Sequence, residues 1–143
     1  MAIVDIRNRV ELQMKEKSGL FYIYMKVDFT KCNISTANDY RIARIADGWL
    51  FLGSFFRMPT DSTSLGTIDI GTTQSGTDLD SAIDVDAGSQ TSWTAMTPTY
   101  AAPVEVASDG YMWLEADSAA VNDGVLEMMM VVMAAPNEDS SVG

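Results

Sequence analysis

Three Asp-Gly dipeptides, at positions 47–48, 109–110 and 123–124, constrain the fold of this chain more than any other feature. Each separates two short apolar segments, and its glycine permits the positive backbone φ that tight turns require. Asp-Gly between apolar runs is typical of β-hairpins. The sequence therefore predicts short strands reversed by tight turns, with no segment of convincing helical periodicity.

The apolar segments have the composition of β-strands. Leu20–Phe29 is rich in aromatic and β-branched residues, and Trp49–Met58 and Val125–Met133 are apolar on both faces. Strands that are apolar on both faces are usually central in a sheet and covered on both sides. Residues 4–14 alternate with the two-residue period of a strand. Seven or eight short strands with regularly spaced turns predict an all-β sandwich or barrel.

The length of 143 residues suits a single domain. We expect an extended arm or strand over residues 1–19, a β-sandwich domain over 20–136 and a flexible acidic tail over 137–143. Residues 71–102 lack strong periodicity, but their spaced apolar side chains predict a structured loop held against the core. The longest apolar stretch is nine residues, at 128–136. A spanning helix needs about 20, so we expect no membrane segment.

Composition argues against enzymatic chemistry. The chain contains no histidine, which removes the commonest general base and the usual nitrogen ligand of zinc. Its single cysteine, Cys32, can form neither an intrachain disulfide nor a thiolate metal site, and a free cysteine is usually a small buried core residue. We expect no catalytic residue, no cofactor and no enzymatic activity.

The net charge of −11 is divided unevenly along the chain. All nine Lys and Arg residues lie within residues 1–57 beside six acids, whereas residues 58–143 contain fourteen acids and no base. Such a surface repels phosphate backbones, so we expect no nucleic-acid partner. Two interpretations of the asymmetry stay open. The exposed acids could simply confer solubility, or the basic part could face a protein partner while the acidic part faces water.

Four aspartates lie close together between Asp78 and Asp86. Clustered carboxylates can bind Ca²⁺, although the spacing here is not that of an EF-hand. A solvated acidic loop explains the same cluster, and we assign no metal ligand.

The methionine-rich strand near the C-terminus has two possible roles. It is predicted to lie in the core, because both of its faces are apolar. Methionine also adapts its shape to protein contacts, so Met128, Met130 and Val132 could instead form an oligomer interface.

The order of elements between Ala37 and Met133 resembles a known family. A strand at Tyr40–Ile45, the Asp47-Gly48 turn and an apolar strand at Trp49–Arg57 are followed by the segment GTIDIG at 66–71, a Gly/Asp-rich stretch and two closing strands. This order is similar to that of small virion proteins of tailed bacteriophages, the head-decoration or capsid cement type. The resemblance implies an antiparallel β-sandwich of jelly-roll type.

The resemblance also implies a role. Such a protein would bind the assembled major capsid protein on the outer surface of the virion, as a homo-oligomer and most often as a trimer, after synthesis in the host cytoplasm. The first 36 residues depart from the family pattern and carry six of the nine basic residues. We predict that this segment is a docking arm that orders on its target by adding a strand to a sheet edge. The residues predicted to dock are Ile6, Arg7, Arg9, Val10, Leu12, Lys15 and Lys17.

An alternative function belongs to another class. The chain could be a binding module of a phage tail or fibre that recognises host carbohydrate through exposed aromatic rings. The candidate rings are Trp93, Tyr100, Tyr111 and Trp113. Aromatic residues in β-proteins more often belong to the core, and a glycan array would separate the two interpretations.

Overall fold

A computed structural model describes residues 2–86, 91–98, 104–105 and 108–133, and these residues form eleven strands and no helix. The strands are β1 (Ala2–Asp5), β2 (Glu11–Lys17), β3 (Leu20–Asp28), β4 (Asn38–Arg44), β5 (Leu50–Thr60), β6 (Thr67–Gly71), β7 (Asp80–Asp84), β8 (Thr94–Ala95), β9 (Val104–Glu105), β10 (Tyr111–Asp117) and β11 (Val125–Met133). The predicted all-β class is confirmed, whereas the predicted count of seven or eight strands was too low. These ranges include no helix that could cross a membrane.

The strands form two sheets. The first has the order β1-β4-β10-β6-β7, and the second has the order β2-β3-β11-β5-β8, with β9 also paired to β5. Every described pair is antiparallel except β1 with β4, which is parallel. The prediction that all strands pair antiparallel is therefore wrong for β1 and β4. After β1 the chain leaves the first sheet for the second, so it can return as β4 in the same direction without a hairpin. The jelly-roll connectivity stays a prediction.

Side chains from both sheets belong to one hydrophobic core. Met25 and Met130 of the second sheet and Ile70 and Leu114 of the first are among its fully buried members. A shared core between two sheets is the arrangement of a β-sandwich. Within the second sheet, β11 pairs with β3 along its whole length and with β5 on its other side, so the predicted central positions of β5 and β11 are confirmed.

The three Asp-Gly turns have the predicted backbone geometry but not the predicted connections. Gly48, Gly110 and Gly124 have φ angles of 80°, 100° and 87°. Each turn joins strands of different sheets, namely β4 to β5, β9 to β10 and β10 to β11. The hairpins predicted at 109–110 and 123–124 are therefore wrong, whereas at 47–48 the sequence predicted only a turn. Glycine sets the local φ, whereas burial of the next strand's apolar face decides which sheet that strand joins. A tight hairpin does occur between β2 and β3, where Ser18 and Gly19 both have positive φ.

The N-terminal segment takes part in both sheets. β1 is the edge strand of the first sheet, beside β4, and β2 is the edge strand of the second, beside β3. Ile6 and Val10 lie in the connection between them and are buried in the core. The segment predicted as an extended arm or strand over residues 1–19 therefore contributes one edge strand to each sheet. The tail predicted over 137–143 lies outside the described residues.

Residues 71–102, predicted to be one structured loop, contain two further strands. β7 pairs with β6, where Ile83 lies opposite Ile68, and β8 pairs with β5. Ile83, Val85 and Met96 are buried, as their spacing predicted. Trp93, expected to do the same, is only partly buried, and Tyr100 lies outside the described residues. Three of the five expected side chains thus hold the segment against the core, and the described part has more regular structure than its weak periodicity indicated.

Candidate protein-binding face

Strand β11 presents one row of side chains to the core and another to the outside. Met128, Met130 and Val132 point inward and are fully buried. The residues predicted for an oligomer interface are thus enclosed in the subunit's own core, where a second copy cannot reach them. Met129 and Met133 point outward and are each 40% exposed. The strand is central, as predicted, but its outer face is not fully covered.

Aromatic side chains of the neighbouring strands surround Met129. Tyr24 lies opposite Met129 on β3, and Phe55 lies opposite it on β5. Phe55 is 38% exposed. Because opposite residues of paired strands project from the same face of a sheet, these three side chains form a continuous apolar row across the outside of the second sheet.

A groove runs beside this row. Tyr22 and Gly53 lie opposite Val131 on its two sides, and Gly53 contributes no side chain there. A Cβ atom at Gly53 would lie 3.3 Å from the ring of Phe55, so that ring leans over the glycine. The resulting groove has a volume of about 640 Å³, and Tyr22, Tyr24, Phe55, Met129 and Val131 line it. We call the outward surface formed by these five residues the outer face.

A polar cluster lies next to the outer face. Glu127 accepts hydrogen bonds from the Tyr24 hydroxyl and from Arg57 Nε, the latter at 3.0 Å. Burial disfavours the charged form of Glu127, but these hydrogen bonds and the Arg57 charge outweigh it and lower the pKa of Glu127. Burial and the bond to Glu127 raise the pKa of Tyr24 to about 12. The cluster therefore fixes the orientation of Tyr24 beside the groove.

The residues predicted to dock a partner lie in different environments. Ile6 and Val10 belong to the core. Arg7 forms an ion pair with Asp5 at 2.7 Å, and its guanidinium lies 5.1 Å from the ring centre of Tyr111. The others are exposed, namely Arg9, Leu12, Lys15 and Lys17. Docking by this segment stays a prediction, and deletion of the segment cannot test it cleanly, because the deletion would also remove core residues and two edge strands.

The described aromatic residues considered for carbohydrate binding already contact other side chains of the same subunit. Trp113 is buried, and its indole N–H donates to a turn carboxylate at 2.8 Å. The guanidinium of Arg41 lies 4.2 Å from the ring centre of Tyr111, and another guanidinium lies 4.7 Å from that of Trp93. Tyr100 lies outside the described residues. Each of the three described rings thus contacts a polar or charged side chain of its own subunit.

The four aspartates between Asp78 and Asp86 are not gathered at one point. Asp78 accepts a hydrogen bond from the backbone N–H of Thr72 at 2.8 Å, whereas Asp80 is buried in β7 and accepts one from the backbone N–H of Thr97 at 3.3 Å. Burial raises the pKa of Asp80. Within the described part of the chain, no three Asp, Glu, Cys or His side chains are placed to hold a metal ion. The two carboxylates described here instead stabilise loop backbone.

Sequence reasoning did not single out Tyr22, Tyr24 and Phe55, and it indicated Met129 only as one member of the methionine-rich strand. It recognised that the strands carrying them are apolar, and it expected β5 and β11 to be covered on both sides. A usable signal was present, because each layer of a two-layer sandwich buries only one face. Neighbouring strands with two apolar faces must then leave one apolar row outside.

Comparison with known proteins gives one informative result. No protein-family model matches the chain, and no curated protein matches its sequence. Among solved structures, the chain is similar to one described as "Cyanophage Pam1 capsid asymmetric unit", with a TM-score of 0.60. The alignment covers 85% of this chain and 90% of that chain at 19% sequence identity. At this identity the likeness establishes a shared fold.

Proposed function

We propose that this chain is a structural protein of a bacteriophage head that decorates or stabilises the capsid by binding the major capsid protein on its outer surface. It acts by binding and not by catalysis. The observation that carries the proposal is the likeness in fold, over most of both chains, to a chain of the cyanophage Pam1 capsid asymmetric unit. Because a fold alone does not define a function, the proposal also depends on the outer face.

The outer face has the properties of a protein contact. Contiguous exposed apolar surface on a soluble protein commonly marks an interaction site, and tyrosine, phenylalanine and methionine are enriched in interfaces. Gln13 and Lys15 of β2 lie opposite Tyr24 and Tyr22 and form a polar rim. We propose that the groove beside Met129 accepts an apolar side chain or loop of the capsid protein, with the lysine rim favouring an acidic partner surface.

The proposal includes binding as an oligomer, and the family resemblance implies a trimer. A capsid presents the same site many times at fixed spacing. Joined copies therefore engage neighbouring sites at high effective concentration, and a contact that is weak for one copy becomes stable for several. The modest size of the outer face is compatible with this mode, because affinity does not have to come from one large interface.

Two matched variants test the proposal. Met129→Glu places a charge in the middle of the outer face, whereas Leu65→Glu makes the same kind of change at a side chain that is 85% exposed and does not line the groove. Both proteins should keep the circular dichroism spectrum of the wild type. In co-sedimentation with capsids assembled without this chain, we expect Met129→Glu to bind at least about tenfold more weakly, since its charge must be desolvated on docking.

We expect Leu65→Glu to bind like the wild type. Unchanged binding of folded Met129→Glu would contradict the assignment of the outer face. Absence of binding by the wild type would contradict the proposed function.

A further inference from the structure

Among the residues that the structure describes, strand β2 has no partner on one of its edges. It pairs with β3 on one side, it is the last strand of the second sheet in the described part of the chain, and all seven of its residues are exposed. Leu12 and Met14 are 43% and 44% exposed, an unusual condition for apolar side chains in the middle of a strand. An open edge presents free N–H and C=O groups that can pair with another strand.

The sequence of β2, ELQMKEK, is complementary to itself when read in the opposite direction. In an antiparallel pair centred on Gln13, Glu11 lies opposite Lys15 of a second copy, and Leu12 lies opposite Met14 of that copy. By symmetry each contact occurs twice, giving two ion pairs on one face and two apolar pairs on the other. We propose that β2 binds β2 of a second copy of this chain in this register.

Other registers lose part of these contacts. Centring on Met14 keeps two ion pairs, between Glu11 and Lys17, but places Leu12 opposite the charged Glu16. Centring on Lys15 places two lysines opposite each other. A parallel pair in register sets every charged residue against its own copy. Shifting an antiparallel pair by an odd number of positions reverses the faces and mixes apolar with charged positions. The charged and the apolar positions together therefore select the Gln13-centred antiparallel register, because it alone forms both the ion pairs and the Leu12–Met14 pairs.

This contact extends the second sheet across two subunits and brings their outer faces onto one continuous surface. It uses the edge and the side chains of β2, and Gln13, Met14 and Lys15 of this strand also line one side of the groove. The remaining groove residues, among them Phe55 and Met129, lie on strands farther from the paired edge. It does not depend on the proposed capsid role, because it needs only a second copy. Where the chain also forms trimers through another surface, the same contact would join neighbouring trimers. Failure of this inference and failure of capsid binding are thus separate outcomes.

Disulfide cross-linking of the full chain tests the register. Residues directly opposite in an antiparallel pair have Cα atoms about 4.5–5.5 Å apart, within disulfide range, whereas diagonal residues are about 7–8 Å apart. We expect Gln13→Cys to form a covalent dimer under mild oxidation and Met14→Cys, the matched control, to form little. The native thiol of Cys32 is buried, and burial raises its pKa, so it should not compete.

Faster cross-linking of Met14→Cys than of Gln13→Cys would overturn the register. Absence of cross-linking in both variants would overturn the pairing itself.

Charge exchange provides an independent test, read by sedimentation equilibrium. Lys15→Glu turns two attractive contacts into repulsive ones, and we expect the dimer Kd to rise roughly tenfold. Adding Glu11→Lys to this variant recreates both pairs with the charges exchanged and should restore the wild-type Kd. Lys17→Glu, the same charge change just beyond the paired segment, should have little effect.

These side chains are exposed, so the variants should fold, which circular dichroism verifies. An unchanged Kd for Lys15→Glu, or a double variant that stays as weak as Lys15→Glu, would refute the inference.

Discussion

Replacing two adjacent methionines of β11 by alanine tests whether the strand has one buried and one exposed face. Met130 is fully buried in the core, and Met129 is 40% exposed on the outer face. The two substitutions remove the same atoms from neighbouring positions of one strand. Any difference in the free energy of unfolding therefore reports the environment of the side chain and not its chemistry.

The two substitutions should lower the free energy of unfolding by different amounts, because only the buried Met130 can leave a closed cavity. Truncating a fully buried methionine to alanine costs about 2–5 kcal/mol, which combines lost transfer free energy with the cavity that remains. At Met129 the lost atoms are partly hydrated and open to solvent, so only part of the transfer free energy is lost, about 1 kcal/mol. We expect Met130→Ala to be less stable than Met129→Ala by about 1–4 kcal/mol.

Urea unfolding followed by tryptophan fluorescence measures this difference. With an m value of about 2 kcal/mol per molar, the midpoint for Met130→Ala should lie roughly 0.5–2 M below that for Met129→Ala. Dilute protein keeps association between copies from adding to the apparent stability. Equal midpoints, or a lower midpoint for Met129→Ala, would refute the assignment of the two faces.

Three further predictions concern stability. Gly71→Ala should lower the free energy of unfolding by about 2 kcal/mol or more, since the added Cβ would lie 2.4 Å from the backbone of Gly76. In Gly53→Ala the added Cβ meets only an aromatic ring, at 3.3 Å, so thermal denaturation should show a loss of less than about 1 kcal/mol. Burial and nearby carboxylates raise the pKa of Glu115, so Glu115→Gln should stabilise the fold at neutral pH, with the gain shrinking in urea titrations as the pH falls through the folded-state and then the unfolded-state pKa. The pKa of Glu127 is lowered, so Glu127→Gln should destabilise the fold at neutral pH, with the loss shrinking as the pH falls through the unfolded-state and then the folded-state pKa.

Distinct results would contradict these three expectations. Equal losses in the free energy of unfolding for Gly71→Ala and Gly53→Ala would show that the loop after β6 does not confine Gly71. The two carboxylate variants should have opposite pH signatures. A gain for Glu115→Gln or a loss for Glu127→Gln that persists unchanged in acid would mean that charge is not its cause.

Sequence reasoning predicted local structure well and the connections between strands poorly. The composition of Leu20–Phe29 and Val125–Met133 identified β3 and β11, and the three Asp-Gly pairs marked positions of positive φ. Those turns nevertheless join strands of different sheets. A dipeptide fixes two pairs of backbone angles, but the partner of the next strand depends on which faces are buried, which is a property of the whole core.

The candidate site was predictable only in part, for the same reason. The sequence indicated that the methionine-rich strand could contact another subunit, but it assigned the contact to Met128, Met130 and Val132, which form the core. Strand alternation gives two rows of side chains without stating which one faces inward. The parallel pairing of β1 with β4 was equally inaccessible, because no local signal distinguishes it from an antiparallel edge.

Quantitative mass spectrometry of purified virus particles that carry this gene would show whether the chain is a component of the head. The measured quantity is the number of copies of this chain per copy of the major capsid protein. If the chain decorates the head, that ratio is fixed and stoichiometric, and it stays the same in heads separated from tails. Particles that lack the chain, or a chain that follows the tail fraction, would contradict the account.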